Sequence, residues 1–229
     1  MNISIVIPIF NEEESIRQLY REIVLKLENY KEKFEIIFVD DASEDFSVRE
    51  IEFLEKRDSK VHLYKHQINS KKSAALLTGI NKSQYEYIVT LDGDLQNDPA
   101  DIIKVVNLMN SRVDLVCGIR KFRNDPNSKR APSLLGNYLL RLIFKYSCRD
   151  IGCGLKIFRK NCILSLGFAG DVHRYLPILF HIHNYQVATV DVNHRARVFG
   201  KSKYGFFRIY FVLRDIFKLL AYRKRIITV

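Results

Sequence analysis

The sequence predicts a single-domain α/β fold, with a mostly parallel central sheet and helices on both faces. Three observations carry that expectation. Short β-branched runs alternate with segments whose apolar residues recur at helical spacing through the first half of the chain. Successive runs end in polar or acidic residues (Asn11, then Asp40 and Asp41, then Asp92 and Asp94), as strands do where a parallel sheet presents its carboxyl edge to a ligand. The 229 residues, 47% of them hydrophobic, suffice for one core, and no linker, internal repeat or low-complexity tract divides them.

Taken in order, residues 3–9 (ISIVIPI) read as a buried strand. Asn11 followed by Glu14 has the form of a capping box, opening a helix with Ile16, Leu19, Tyr20, Ile23, Val24 and Leu27 on one face. Residues 34–41 form a second strand ending in Asp40 and Asp41, and Ser43 is placed to cap a helix through about Asp58. A short strand at 61–64, a helix at 72–82 and a strand closing on Asp92 follow. Pro99 suits the first turn of a helix running to about Ser111, and 114–118 is the next strand. After Arg120 the alternation fades. A polar loop at 122–130 precedes helices near 133–147 and 172–184, a strand near 186–193, a basic loop at 194–204 and a last helix near 205–222. The catalytic domain is drawn at 1–204, and 205–229 is set apart as an amphipathic, basic helix.

The four cysteines form no C-x-x-C pair and no zinc-type spacing, which predicts free thiols in a reducing compartment. No basic n-region leads the first apolar run, and no run reaches the ~20 residues of a membrane span. The expectation is a cytoplasmic protein without a span of its own. Its net charge of +11 is uneven: residues 201–229 hold eight Lys/Arg against one Asp, and 119–145 hold seven against one. Such charge suits nucleic acid, anionic lipid or phosphorylated small molecules.

The most informative stretch is residues 87–99, YIVTLDGDLQNDP. Two carboxylates one residue apart would share a face if the strand ran on, and they repel unless a cation lies between them. Mg²⁺ or Mn²⁺ suits that position, with waters and substrate phosphates completing its shell. A lone Asp-x-Asp also occurs as an acidic turn capping the next helix. There is no G-x-G-x-x-G after the first strand and no Walker A loop, so a diphosphate here needs a metal and basic side chains. Asp40 and Asp41 are placed either to hold a ribose or base or to cap the following helix.

Residues 5–13 (IVIPIFNEE), 39–43 (VDDAS) and 91–96 (LDGDLQ) resemble, in order, the signatures of family 2 glycosyltransferases of the GT-A (Rossmann-like) fold. The similarity is greatest to the polyprenyl-phosphate glycosyltransferases, the dolichyl-phosphate mannose synthases among them. Residues 150–156 (DIGCGLK), 173–177 (HRYLP) and 194–204 (HRARVFGKSKY) resemble the bacterial enzymes that load glucose or aminoarabinose onto undecaprenyl phosphate. The resemblance spans roughly residues 3–210.

By that resemblance Pro8, Phe10, Glu12 and Asp41 surround the base and ribose of a nucleoside diphosphate-sugar, with Asp40 and Lys72 beside them. Asp92, Asp94 and Gln96 hold the metal (Mg²⁺ or Mn²⁺) and the sugar-proximal phosphate. Arg120 and Arg130 approach the diphosphate or the acceptor phosphate, and Asp150 sits at the reaction centre. Arg197, Ser202 and Lys203 close over the donor. A polyprenyl phosphate is already ionised at neutral pH, so it needs cationic guidance more than a base, and in-line attack would invert the anomeric centre. The chain departs from the usual pattern at Phe10 (commonly Tyr), Lys71 (Gly), Gly93 (Ala) and Lys156 (Arg).

The resemblance further implies a peripheral enzyme on the cytoplasmic face of a membrane, reached through the last helix and Arg223, Lys224 and Arg225, or through a small integral membrane partner. The polar residues Arg208, Asp215, Lys218 and Tyr222 would form that helix's exposed stripe. Two rival readings are a soluble glycosyltransferase acting on a glycan hydroxyl, with Asp150 as its base, and a basic nucleic-acid-binding module. Against the latter stand the acidic clusters and the lack of any recognition signature, so no nucleic acid partner is expected.

Overall fold

The structure, a computed structural model, describes residues 1–121, 138–146, 148–166, 172–199 and 208–227. Chain order gives β1 (Ile3–Ile9), α1 (Glu13–Lys26), β2 (Phe34–Asp40), α2 (Ser47–Glu55), β3 (Val61–Lys65), α3 (Lys71–Lys82), β4 (Tyr87–Thr90), α4 (Asp101–Leu108) and β5 (Leu115–Arg120). Residues 138–144 then form α5. They are followed by β6 (Lys156–Arg159), α6 (Lys160–Ser165), α7 (Val172–Ile182), β7 (Val187–Val192) and α8 (Arg208–Ile227).

These strands make one sheet in the order β3-β2-β1-β4-β6-β5-β7. Every neighbouring pair is parallel except those of β6, which runs antiparallel to β4 and β5. Because side chains alternate along a strand, β1 sends Ile3, Ile5 and Ile7 to one face and Val6 to the other. The first face is covered by Ile16, Leu19 and Ile23 of α1, Ile51 of α2 and Ile102 and Val105 of α4. The second is covered by Ala75 and Ile80 of α3, Leu140 and Phe144 of α5, Leu179 of α7 and Leu219 of α8. Strands buried on both faces read as continuous apolar runs, which is why 3–9 and 34–39 were legible.

The antiparallel β6 was not expected. Only four residues long, it opens on Lys156, which is buried beside Thr90 and Cys117 and donates from Nζ to the Cys153 carbonyl. The expected capping box is not formed either. Helix α1 begins at Glu13 without a side-chain cap, Asn11 stands at φ 52°, and its Oδ1 accepts from Glu44 N at 2.8 Å. The β2–α2 loop caps α1 instead, with Ser43 Oγ, Ser47 Oγ and Asp45 Oδ2 accepting from the amides of Asn11, Glu12 and Glu13 at 2.9, 2.9 and 3.1 Å. Ser43 is therefore not an N-cap of α2, which starts at Ser47. In α8, Asp215 and Tyr222 point inward rather than forming an exposed polar stripe. Tyr175 donates to Asp215 at 2.8 Å, and Tyr222 donates to the Leu166 carbonyl. Among the described residues no helix is long and apolar enough to cross a membrane.

Candidate active site

The ends of β1, β2, β4 and β5 bring their following residues to one edge of the sheet, where α/β folds bind ligands. β4 stops at Thr90, so Asp92 and Asp94 lie on the turn beyond it rather than on one face of a continuing strand. Thr90 Oγ1 donates to the Gly154 carbonyl at 2.7 Å, and Asp92 N donates to Asn97 Oδ1 at 3.3 Å, fixing the turn. Gly154 makes room for the carboxylate: a Cβ there would lie 2.5 Å from Asp92 Cγ. Gly93 seats the turn on β1, where a Cβ would come within 2.6 Å of Ile9 Cδ1.

Each carboxylate faces a cationic side chain. Lys72, at the start of α3, forms an ion pair with Asp92. Arg197 forms one with Asp94 and reaches Glu12 at 3.6 Å, so it ties the end of β1 to the Asp92–Asp94 turn. Burial opposes charge on Asp92, but Lys72, then Lys156 and His173, outweigh it and hold that carboxyl below its usual range. Burial, reinforced by Asp92, raises Asp94 above the usual range against the pull of Arg197. A divalent ion would relieve that opposition between neighbours. Among the described residues no group of three or more His, Cys, Asp or Glu is arranged for a metal, so an ion held by these two carboxylates would draw the rest of its shell from other oxygens, such as water.

The segment after β7 is anchored to the same turn. Arg195 N donates to the Gln96 carbonyl at 2.9 Å, Gln96 Nε2 approaches the Arg195 carbonyl at 3.5 Å, and Asn97 bridges His194. Arg195 pairs with Glu22 at 2.6 Å and Asp98 at 2.8 Å. At the end of β5, Arg120 grips Asp150 with Nε to Oδ2 at 2.6 Å and Nη2 to Oδ1 at 2.8 Å. His173 hydrogen-bonds Ser73 Oγ at 2.7 Å, and burial, then Lys72 and Lys156, push its pKa well below the ordinary value.

Asp40 and Asp41 part company. Asp40 Oδ2 accepts from Ser43 N at 3.0 Å, a turn-forming role. Asp41 faces α3 instead, and its Oδ1 accepts from His66 Nδ1 and Ser70 N, both at 2.8 Å. Pro8 and Phe10 lie half-buried at the same edge. The structure thus gathers Pro8, Phe10, Glu12, Asp40, Asp41, Lys72, Asp92, Asp94, Gln96 and Arg197 around the strand ends, with the Arg120–Asp150 pair on the β5 side. Arg130, Ser202 and Lys203 lie outside the described residues. Sequence reasoning missed His66, Asn97 and Gly154. Gly154 sits inside the quoted DIGCGLK motif and Asn97 inside the 87–99 stretch, though neither was given a role, whereas His66 belongs to no pattern.

A family model described as glycosyl transferase family 2 matches residues 4–166. The chain is 33% identical over 229 residues to a dodecaprenyl-phosphate galacturonate synthase from Rhizobium johnstonii, covering 98% of this chain and 68% of that protein. It is 30% identical over 221 residues to an undecaprenyl-phosphate 4-deoxy-4-formamido-L-arabinose transferase from Salmonella choleraesuis, covering 96% and 67%. Among solved structures, glucosyl-3-phosphoglycerate synthase from Mycobacterium tuberculosis in complex with phosphoglyceric acid superposes at a TM-score of 0.69 and 18% identity, covering 97% of this chain and 80% of that one. A mannosyltransferase from Pyrobaculum calidifontis, in complex with GDP-Man and Mn²⁺, does so at 0.67 and 17%, covering 97% and 64%.

Proposed function

The chain belongs to glycosyl transferase family 2, and from that membership we propose that it moves a sugar from a nucleoside diphosphate to a polyprenyl phosphate with inversion at the anomeric carbon. The observation that carries the reading is the Asp92–Asp94 turn, two adjacent carboxylates of opposed pKa displacement, each facing a cation at the ligand edge of the sheet. Asp92 and Asp94, with the Gln96 amide, would hold Mg²⁺ or Mn²⁺. Bound there, the ion would neutralise the departing nucleoside diphosphate. Lys72 and Arg197, drawn to the same carboxylates, would meet the diphosphate, and Ser202 and Lys203, a few residues further along the sequence, are proposed to join them. Pro8, Phe10, Glu12 and Asp41 would frame the nucleoside.

A phosphate nucleophile is favoured over a glycan hydroxyl by the state of Asp150. A hydroxyl acceptor needs a base, but both oxygens of Asp150 are held by the Arg120 guanidinium. Arg120, anchored by that pair at the end of β5, is our candidate for orienting the acceptor anion, and Arg130 is its proposed companion. The two curated relatives are named for polyprenyl-phosphate products, which supports the same acceptor class. That acceptor lives in a bilayer, so we place the enzyme peripherally on its cytoplasmic face, through α8 or a small integral membrane partner.

The test is transfer of sugar from UDP- and GDP-sugar panels to polyprenyl phosphate and to the matching polyprenol, with Mg²⁺, Mn²⁺ or EDTA. The phosphate should be glycosylated, the alcohol should not, and EDTA should abolish turnover. Asp94→Asn should fold normally and lose about two orders of magnitude in kcat. Equal transfer to the alcohol, or full activity of Asp94→Asn in EDTA, would overturn the reading.

A further inference from the structure

His66 and Thr78 belong to no motif, yet they complete a chain of hydrogen bonds that ends on the nucleoside side of the site. Asp41 follows β2 and is held by its own amide, which donates to the Ile9 carbonyl at 2.8 Å. Its side chain is only 5% exposed, and one oxygen, Oδ1, takes two donors, His66 Nδ1 and the Ser70 amide, each at 2.8 Å. A carboxylate oxygen has two lone pairs, so Oδ1 is full. The His66 ring is itself fixed: Nε2 meets Thr78 Oγ1 of α3 at 2.9 Å, and His66 N donates to the Asp40 carbonyl at 2.8 Å. With Nδ1–H given to the carboxylate and Nε2 hydrogen-bonded to the Thr78 hydroxyl, every polar atom of the ring is used. Asp41 Oδ2 takes no hydrogen bond from any described residue and is not sealed away from solvent. The site therefore offers a ligand one carboxylate oxygen, not two.

The donor patterns of nucleobases turn that count into a selection rule. Uracil presents one ring N–H flanked by carbonyls, which one acceptor satisfies. Guanine presents a ring N–H beside an exocyclic amine, two parallel donors that match a carboxylate only when both oxygens are open. Cytosine and adenine present no ring N–H.

We infer that His66 is a positioning residue for base selection: by filling Oδ1 of Asp41 together with the Ser70 amide, it leaves a single acceptor that fits a uracil ring and leaves a guanine donor unpaired. This rests on the reading of Asp41 as part of the nucleoside pocket, and it names the donor class as uridine diphosphate-sugars.

The experiment is titration calorimetry of UDP and GDP, each with Mn²⁺, into the full chain and into His66→Leu, His66→Asn and Thr78→Val. An unpaired buried donor reduces affinity by about tenfold or more, so the wild type should bind UDP at least about tenfold tighter than GDP. His66→Leu should bring the two within about threefold, and Thr78→Val should move the ratio the same way by less. His66→Asn, whose amide can donate from the Nδ1 position, should keep most of the preference. A change in folding alone would move both affinities together, not their ratio. Wild-type protein that binds GDP as well as UDP would overturn the inference. So would folded His66→Leu with an unchanged ratio, or, should that variant not fold, Thr78→Val with an unchanged ratio. Wild-type protein that binds neither nucleotide would overturn the nucleotide-sugar reading itself, and this inference with it.

Discussion

Gly154 shows how a residue without a functional group can govern the carboxylates. It lies in the turn before β6, under Asp92, and an added Cβ would fall 2.5 Å from Asp92 Oδ2 and 2.6 Å from Oδ1. Gly154→Ala should therefore push Asp92 away from Lys72 and out of its place beside Asp94, at a cost of about 1–3 kcal/mol in stability. The expected readout is a thermal shift: Mn²⁺ with nucleotide should raise the melting temperature of the wild type and raise that of Gly154→Ala much less. An undiminished ligand shift in the variant would show that Asp92 tolerates the displacement. The carboxylates themselves were legible because Asp92 and Asp94 stand together in sequence after an apolar run. Gly154 and His66 were not legible in these roles, because each acts through a contact with a distant segment. Lys71, expected from the resemblance to be Gly, adopts φ 73°, in the left-handed region that costs an L-residue about 1–2 kcal/mol. Asn11, Ala42 and Leu95 share that region at the turns after β1, β2 and β4, so the strain gathers around the ligand edge.

At the scale of elements, hydrophobic period was a good guide wherever an element was long and packed on one or two faces, as in β1, β2, α1 and α3. It failed at β6, where four residues beginning with a buried lysine carry no readable alternation and no strand was expected. It also misjudged the polar residues of α8, since no periodicity tells whether Asp215 and Tyr222 face water or a buried partner. The structure turns both inward. His183 Nε2 lies 2.5 Å from the Tyr222 hydroxyl, whose proton goes to the Leu166 carbonyl, so the imidazole donates. His183 also stacks on Tyr185. Burial lowers the His183 pKa below its ordinary 6.5, so the folded state prefers the neutral ring. A base with a depressed folded pKa stabilises the fold above its unfolded value, and that contribution is lost as pH falls through the folded one. The docking of α8 should accordingly loosen on acidification below about pH 6.5, the ordinary histidine value. Hydrogen exchange of the amides of residues 214–226, measured at pH 7.5 and pH 5 after correction for intrinsic rates, should show protection falling at the lower pH. In His183→Gln, which has no titrating ring, the corrected protection should be nearly the same at both.

Among the described residues, paired acidic and basic side chains gather at the ligand edge of the sheet, while α5 and α8 expose basic and apolar residues together. On α8 the inward face is Asp215, Ile216, Leu219 and Tyr222, leaving Phe217 72% exposed and Leu220 38% exposed beside Lys218, Arg223, Lys224 and Arg225. On α5, Tyr138 and Leu142 are exposed beside Arg141, with Lys145 just beyond. Both helices pack into the same core cluster. A helix already docked by one face has no further apolar surface to hide in its own domain, so exposed aromatic and aliphatic side chains among cations suit the interface of an anionic bilayer. Each basic side chain near such a surface contributes about 1 kcal/mol, enough for reversible binding that salt weakens. The protein should co-sediment with vesicles containing phosphatidylglycerol, bind neutral phosphatidylcholine vesicles poorly, and be partly released by high salt. Changing Arg223, Lys224 and Arg225 together to Gln removes three charges without touching the buried face of α8, and should weaken vesicle binding by about 100-fold at low salt while leaving transfer to a short, water-soluble prenyl phosphate unchanged. Phe217→Ser should weaken binding to the same vesicles without altering its salt dependence, because it removes apolar burial and no charge. If neither variant differs from the parent in sedimentation, α8 does not meet lipid and its exposed face serves a protein partner instead.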